Sequence, residues 1–97
     1  MKQQIKTKSG FECEIDSEVL DDMEILDLLL EMEENPDLSL IYYNKLMKKM
    51  MDDDTRNRLY EHIRTEDGRV PATGFTTEIN EIFGILKDGK KSQPLSI

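Results

Sequence analysis

The stretch from Asp16 to Asn35 carries two apolar stripes on what reads as one helix. At about 100° per residue, the first stripe gathers Val19, Met23, Leu26 and Leu30. The second stripe consists of Ile25, Leu28, Leu29 and Met32. One stripe can face the core of the chain, while the other has to be covered by another helix, a second subunit in a homo-oligomer or a foreign partner. The plainer interpretation is a central helix of a small bundle. The sharper one is a partner-binding face.

The charge of the chain is concentrated in its first half. Between Glu12 and Asp37 there are twelve acidic side chains and no basic ones, and the whole chain of 97 residues has a net charge of −8. Phosphate binding needs clustered lysine and arginine, so we expect no nucleic acid as a ligand. Basic or hydrophobic protein partners fit this surface better.

Composition also predicts the compartment. Cys13 is the only cysteine, so no disulfide within the chain is expected, and a reducing compartment is the default. We find no apolar run of membrane-spanning length and no signal peptide at the N-terminus. We therefore expect a cytoplasmic protein without a membrane partner.

Residues 4–15 predict a β-hairpin, for which two registers are considered. A two-residue Ser9-Gly10 turn would place Ile5 opposite Glu14 and mix polar and apolar groups on one face. A three-residue loop, with Gly10 in the left-handed conformation, instead pairs Ile5 with Cys13 and Lys6 with Glu12. The longer loop is preferred, because it collects the apolar side chains on one face that has to rest on helices.

Four helices are predicted after the hairpin. For the first helix there are two alternatives. Either Asp16 or Ser17 caps it, or a short turn over residues 17–20 comes first and the helix itself begins at Asp21 or Asp22. The predicted elements that follow are a helix over Pro36–Met51 capped by Asn35, a helix over Asp53–Thr65 stopped by Gly68, an extended connector over Arg69–Gly74, and a helix from Thr76 or Thr77 to Lys87. The fold class is therefore mainly α, a small four-helix domain with an N-terminal hairpin (α+β, helix-dominated). A single domain over residues 1–89 and a flexible tail over residues 90–97 are expected.

Residues suited to catalysis or metal binding are sparse. His62 is the only histidine and has no second ligand at matching spacing, so a surface or half-buried position is predicted for it. The Asp52-Asp53-Asp54 run lacks the spacing and the glycine of a calcium loop and instead predicts a helix start. Catalytic motifs are missing as well. We expect no enzyme, no cofactor and no metal.

Three segments carry a resemblance to a known family. They are IKTKSGFECEIDSEVLDDMEILDLL near the start, RLYEHIRTEDGRVP in the interior and TTEINEIFGILKDGKKS near the end. Together they resemble the tail assembly chaperones of long-tailed phages and prophages of Gram-positive bacteria. The resemblance implies a small acidic helical protein that binds the tape measure protein, keeps its hydrophobic coils soluble and is absent from the finished virion. It also implies a longer product, made by ribosomal frameshifting near Lys90-Lys91, that recruits tail tube protein.

The predicted docking face lies on the first two helices. Its residues are apolar side chains that a helical partner could contact, Leu28, Leu29, Met32, Leu40, Met47 and Met50. Methionine is favoured where a surface must fit more than one shape, although core filling is the commoner role. The alternative function is a small acidic regulator that mimics nucleic acid and binds a host or phage enzyme. A structural virion component is the third possibility.

Overall fold

The computed structural model describes residues 2–90. Its elements are strands β1 (Lys2–Lys6) and β2 (Glu12–Asp16) and helices α1 (Met23–Glu34), α2 (Ser39–Met50), α3 (Asp53–Ile63) and α4 (Ala72–Lys90). Short 3-10 turns over Ser17–Leu20 and Pro36–Leu38 precede α1 and α2. The predicted fold class, helix-dominated with an N-terminal hairpin, is confirmed over these residues. Lys90 is the last residue of α4, and the rest of the predicted tail, residues 91–97, lies outside the described residues.

The hairpin has the register predicted for the three-residue loop. Ile5 pairs with Cys13 and Lys6 with Glu12. The amide of Thr7 donates to the carbonyl of Phe11 at 2.9 Å, and Gly10 adopts a φ of 95°. The buried side chains of one face all come from alternate positions, as the pleat requires: Ile5, Thr7, Phe11, Cys13 and Ile15.

The core lies between this face of the hairpin and the helices. Helices α2, α3 and α4 supply most of its other buried side chains, Leu46, Met47, Met50, Leu59, Phe75, Ile79, Ile82 and Leu86. From α1 only Ile25 is buried. Strand β1 packs against α4, and the side-chain amide of Gln3 donates to the carbonyl of Ile85 at 3.2 Å. The first and the last described elements therefore share one core.

The start of α1 follows the second of the two predicted schemes. The carboxylate of Asp16 accepts from the amide of Glu18 at 3.0 Å and caps the 3-10 turn. The carboxylate of Asp22 accepts from the amide of Glu24 at 2.8 Å and caps α1 itself. The segment therefore forms two helical elements and not one, because each aspartate caps the N-terminus of its own element.

The predicted cap of the second helix is wrong. The side-chain amide of Asn35 donates to the carbonyl of Glu31 at 3.0 Å, so it satisfies the end of α1 and makes no cap bond to the residues that follow. Pro36 opens a 3-10 turn, and α2 begins only at Ser39. The predicted break between the two helices is nevertheless where the structure has it.

The boundaries on either side of the predicted connector also differ. Helix α3 ends at Ile63, two residues early, and Gly68 with a φ of 90° lies in the turn after it. Helix α4 starts at Ala72, because the carbonyl of Pro71 accepts from the amide of Phe75 at 3.0 Å. Proline is compatible with a helix start, and the Thr76 hydroxyl donates to the carbonyl of Thr73 at 3.1 Å inside the helix rather than capping it.

Gly10 and Gly84 are expected to respond oppositely to alanine. A Cβ would meet nothing within 4 Å at either position, so only the backbone distinguishes them. At Gly10 the left-handed φ of 95° should make Gly10→Ala destabilising by about 1 kcal/mol. Gly84 is exposed and lies within α4, where Gly84→Ala should stabilise by about 0.5–1 kcal/mol. Urea denaturation of both variants measures the difference, and equal effects would contradict it.

Candidate partner-binding surface on α1

The six residues predicted to form a docking face do not share one surface. Met47 and Met50 have exposed fractions of 0% and 4%, so their assignment to a partner-binding face is corrected: both belong to the core. They lie on the same side of α2 as Leu46, which is buried as well. Leu28, Leu29 and Met32 are half-buried and pack against the core. Of the six, Leu40 alone is exposed, at 45%.

The apolar surface of α1 that faces solvent consists of three of the four residues of the first stripe, since Val19 precedes α1 and packs half-buried against the core. Met23, Leu26 and Leu30 are 66%, 42% and 57% exposed. Ile25, which is buried, follows Met23 by two positions or about 200° around the helix, so the exposed residues lie roughly opposite the core. We call Met23, Leu26 and Leu30 the outer stripe. The sequence predicted that α1 has more apolar surface than the core can cover, and this arrangement is compatible with that prediction. The stripe expected to face a partner was the second one, however, whereas the exposed residues belong to the first.

A row of carboxylates follows one edge of the outer stripe. It consists of Glu24, Asp27, Glu31 and Glu34, which fall within about 20–100° of Met23 on the helix circumference. We call these four residues the acidic row. Glu24 is paired, since Nζ of Lys49 lies 2.6 Å from its Oε1. Within residues 2–90, the carboxylates of Asp27, Glu31 and Glu34 have no basic side chain within ion-pair distance. The row can therefore accept cations from outside the chain.

On the far side of the acidic row, a shallow depression of about 410 Å³ separates α1 from α2. Its lining combines Leu28 with charges of both signs: Glu24, Asp27, Lys45, Lys48 and Lys49. Lys49 ties the two helices together, because its Nζ contacts Asp22 at 3.5 Å as well as Glu24. The hydrogen bond from Lys49 to Glu24 raises the pKa of Lys49, and the amide of Glu24 lowers the pKa of Asp22. Since Lys49 already bridges α1 and α2 across this depression, we take the outer stripe as the better docking site.

A second polar cluster joins the hairpin loop to α3 and α4. The hydroxyls of Thr7 and Ser9 donate to the same oxygen of Glu78, Oε1, at 2.8 and 3.0 Å. Nε2 of His62 lies 2.9 Å from the Ser9 hydroxyl oxygen. With the Ser9 hydroxyl donating to Glu78, Nε2 of His62 is the donor in this contact in the tautomer or charge state that carries a proton there. These contacts tie the hairpin loop to α3 and α4.

The cluster lines another depression of about 430 Å³, which also touches Ile63 and Thr73. His62 is exposed, as predicted, and its ring lies 5.5 Å from that of Phe11. Residues 2–90 contain no group of three or more histidine, cysteine or acidic residues placed to hold a metal ion.

Burial raises the pKa of the Cys13 thiol, and nearby Arg58 offsets part of this shift. A thiol of this kind is a weaker nucleophile than an exposed one.

No family, curated protein or solved structure matches the chain. In the part of the chain described here, every helix is too short or too polar to cross a bilayer.

Proposed function

We propose that the protein is a tail assembly chaperone that binds the tape measure protein of a long-tailed phage or prophage. The observation that carries the proposal is the outer stripe, where three large apolar side chains on one helix lie in solvent opposite the core. Exposed apolar surface of this kind is costly for a free protein and is typical of a docking site. The net charge of −8 keeps such a surface soluble and discourages self-association at a distance.

The biological role follows from the family resemblance. The chaperone covers the apolar seams of the tape measure protein in the host cytoplasm, while tail tube protein assembles around it, and then leaves before the virion is complete. Recruitment of tube protein would fall to the frameshifted longer product. This role requires no catalysis.

Co-expression with the tape measure protein encoded by the same genome tests the proposal. We expect the tape measure protein to stay soluble and to co-purify with the chain, and to aggregate when expressed with an empty vector. Mass spectrometry of purified particles should find the tape measure protein and not the chain. A tape measure protein that is equally soluble alone, or stoichiometric amounts of the chain in particles, would refute the assignment.

The acidic row favours a second candidate function. The carboxylates of Asp27, Glu31 and Glu34, which have no ion-pair partner among residues 2–90, could occupy the nucleic-acid site of a host or phage enzyme. Binding of that kind is dominated by charge and should weaken steeply between 50 and 500 mM salt, roughly as the Debye length shortens. Capture of apolar coils should persist at the higher salt concentration.

A further inference from the structure

We propose that the outer stripe of α1 binds a heptad-patterned helix of a partner protein, and that lysine or arginine residues beside the apolar seam of that helix face Asp27 and Glu34. This inference rests on the proposed function in one respect: it takes the tape measure protein as the partner and states which chemistry its bound segment should have. It is carried by the spacing, exposure and charge of residues on α1.

The spacing of the outer stripe is that of a coiled-coil seam. Met23, Leu26 and Leu30 are separated by three and then four positions, as a, d and a residues are in a heptad. The stripe covers seven helical steps, or about 10 Å, so it matches two turns of a partner helix. Since all three side chains are exposed, a second helix can lie along them without any rearrangement of the core.

The acidic row supplies the flanking charges of the same pattern. With Met23 and Leu30 at a positions, Asp27 and Glu34 occupy the two successive e positions. In coiled coils these positions pair with the flanking positions of the neighbouring helix and select the partner by charge. Because neither carboxylate has a cation within residues 2–90, a partner with basic flanking residues gains two ion pairs.

The same charges disfavour a second copy of the chain. Helix α1 contains no lysine or arginine, so packing one outer stripe on another brings the two acidic rows together without a basic side chain from either α1 between them. Like charges across such a seam are destabilising. The occupant is therefore a basic helix from a different protein.

Two synthetic peptides of three heptads test the inference directly. Both have leucine at the a and d positions, and one has lysine and the other glutamate at e and g, so that like charges prevent each peptide from pairing with itself. Fluorescence anisotropy should detect binding of the lysine peptide to the full chain and at least tenfold weaker binding of the glutamate peptide. Equal binding of the two peptides would overturn the inference.

Paired substitutions locate the site. Leu26→Ser with Leu30→Ser should weaken binding of the lysine peptide more than about tenfold, whereas Leu38→Ser with Ile41→Ser, at residues 46% and 53% exposed outside the stripe, should leave it unchanged. Asp27→Asn with Glu34→Gln should weaken it about fivefold and flatten its salt dependence. The matched control, Glu12→Gln with Glu66→Gln, removes the same charge elsewhere. Circular dichroism verifies that each variant is folded.

The outcomes also separate this inference from the proposed function. If the Leu26→Ser/Leu30→Ser variant keeps the tape measure protein soluble as well as the unaltered chain does, the site is wrong and the chaperone function stands. If the chain binds the lysine peptide through the stripe but never the tape measure protein, the inference stands and the chaperone function falls. Dimerisation in sedimentation experiments that is abolished by the same variant would identify a second copy as the occupant and overturn the inference.

Discussion

Replacing Met47 with aspartate is expected to unfold the domain. The side chain of Met47 is fully buried, so Met47→Asp places an unpaired carboxylate in the core. The cost of burying such a charge is comparable to the whole stability of a small domain, which is about 5–15 kcal/mol. Circular dichroism and urea denaturation should show loss of helical signal or of a cooperative transition at 25 °C. Loss of partner binding in this variant would then report unfolding and not a lost contact.

Ile41 provides the matched control on the same helix. Its side chain is 53% exposed and lies in the first turn of α2, where an acid suits the positive end of the helix dipole. Ile41→Asp should change the free energy of unfolding by no more than about 0.5 kcal/mol. If the Met47→Asp variant is folded and about as stable as Ile41→Asp, the assignment of Met47 to the core is wrong and Met47 lies on the surface.

Glu78→Ala is expected to destabilise the domain by about 2–4 kcal/mol. The change removes the acceptor for the hydroxyls of Thr7 and Ser9, and Thr7 is only 3% exposed, so water cannot readily replace it. An unsatisfied buried hydroxyl costs about 1–3 kcal/mol, and the lost methylene groups of Glu78 add to this. Urea denaturation measures the effect, and limited proteolysis should find cleavage in the loop at Lys8-Ser9 before cleavage elsewhere.

Glu78→Gln separates the acceptor from the charge. The amide oxygen of glutamine can accept from both hydroxyls, so this variant should retain most of the stability lost in Glu78→Ala. Equal destabilisation by the two substitutions would mean that the negative charge, and not hydrogen-bond acceptance, holds the loop. The nearby hydrogen bond from the amide of Lys8 to Glu81, at 2.6 Å, involves neither substituted atom. Both variants therefore keep this second attachment of the loop, and they differ only at residue 78.

Much of the fold follows from local sequence rules. The alternation of Ile5 and Cys13 around Gly10 specifies the hairpin register, since a slip of one residue would expose the apolar face. Asn35-Pro36 marks the break between the first two helices because proline cannot continue α1. The sequence pattern places the start of α4 too late, because Gly74 has poor helix propensity; in the fold, Gly74 lies close to Ile63 of α3 within the first turn of α4.

The candidate site could be predicted only in part. Two stripes of similar composition on α1 indicate that one of them is surplus, but their composition does not decide which one meets the core. That choice depends on how α1 packs against α2, the element it contacts most, which the composition of α1 alone does not specify. On α2 the signal was available: Met47 and Met50 share a face with Leu46, and core filling is the commoner role of methionine on such a face.

The packing of β1 against α4 has a consequence for the order of folding. The side chain of Ile5 enters a core whose other wall includes Ile82 and Leu86, so this core closes only when residues from both ends of the described range have met. A chain that lacks α4 therefore leaves the apolar face of the hairpin without one of its covers, and the contacts that close the domain are of the long-range kind that forms slowly.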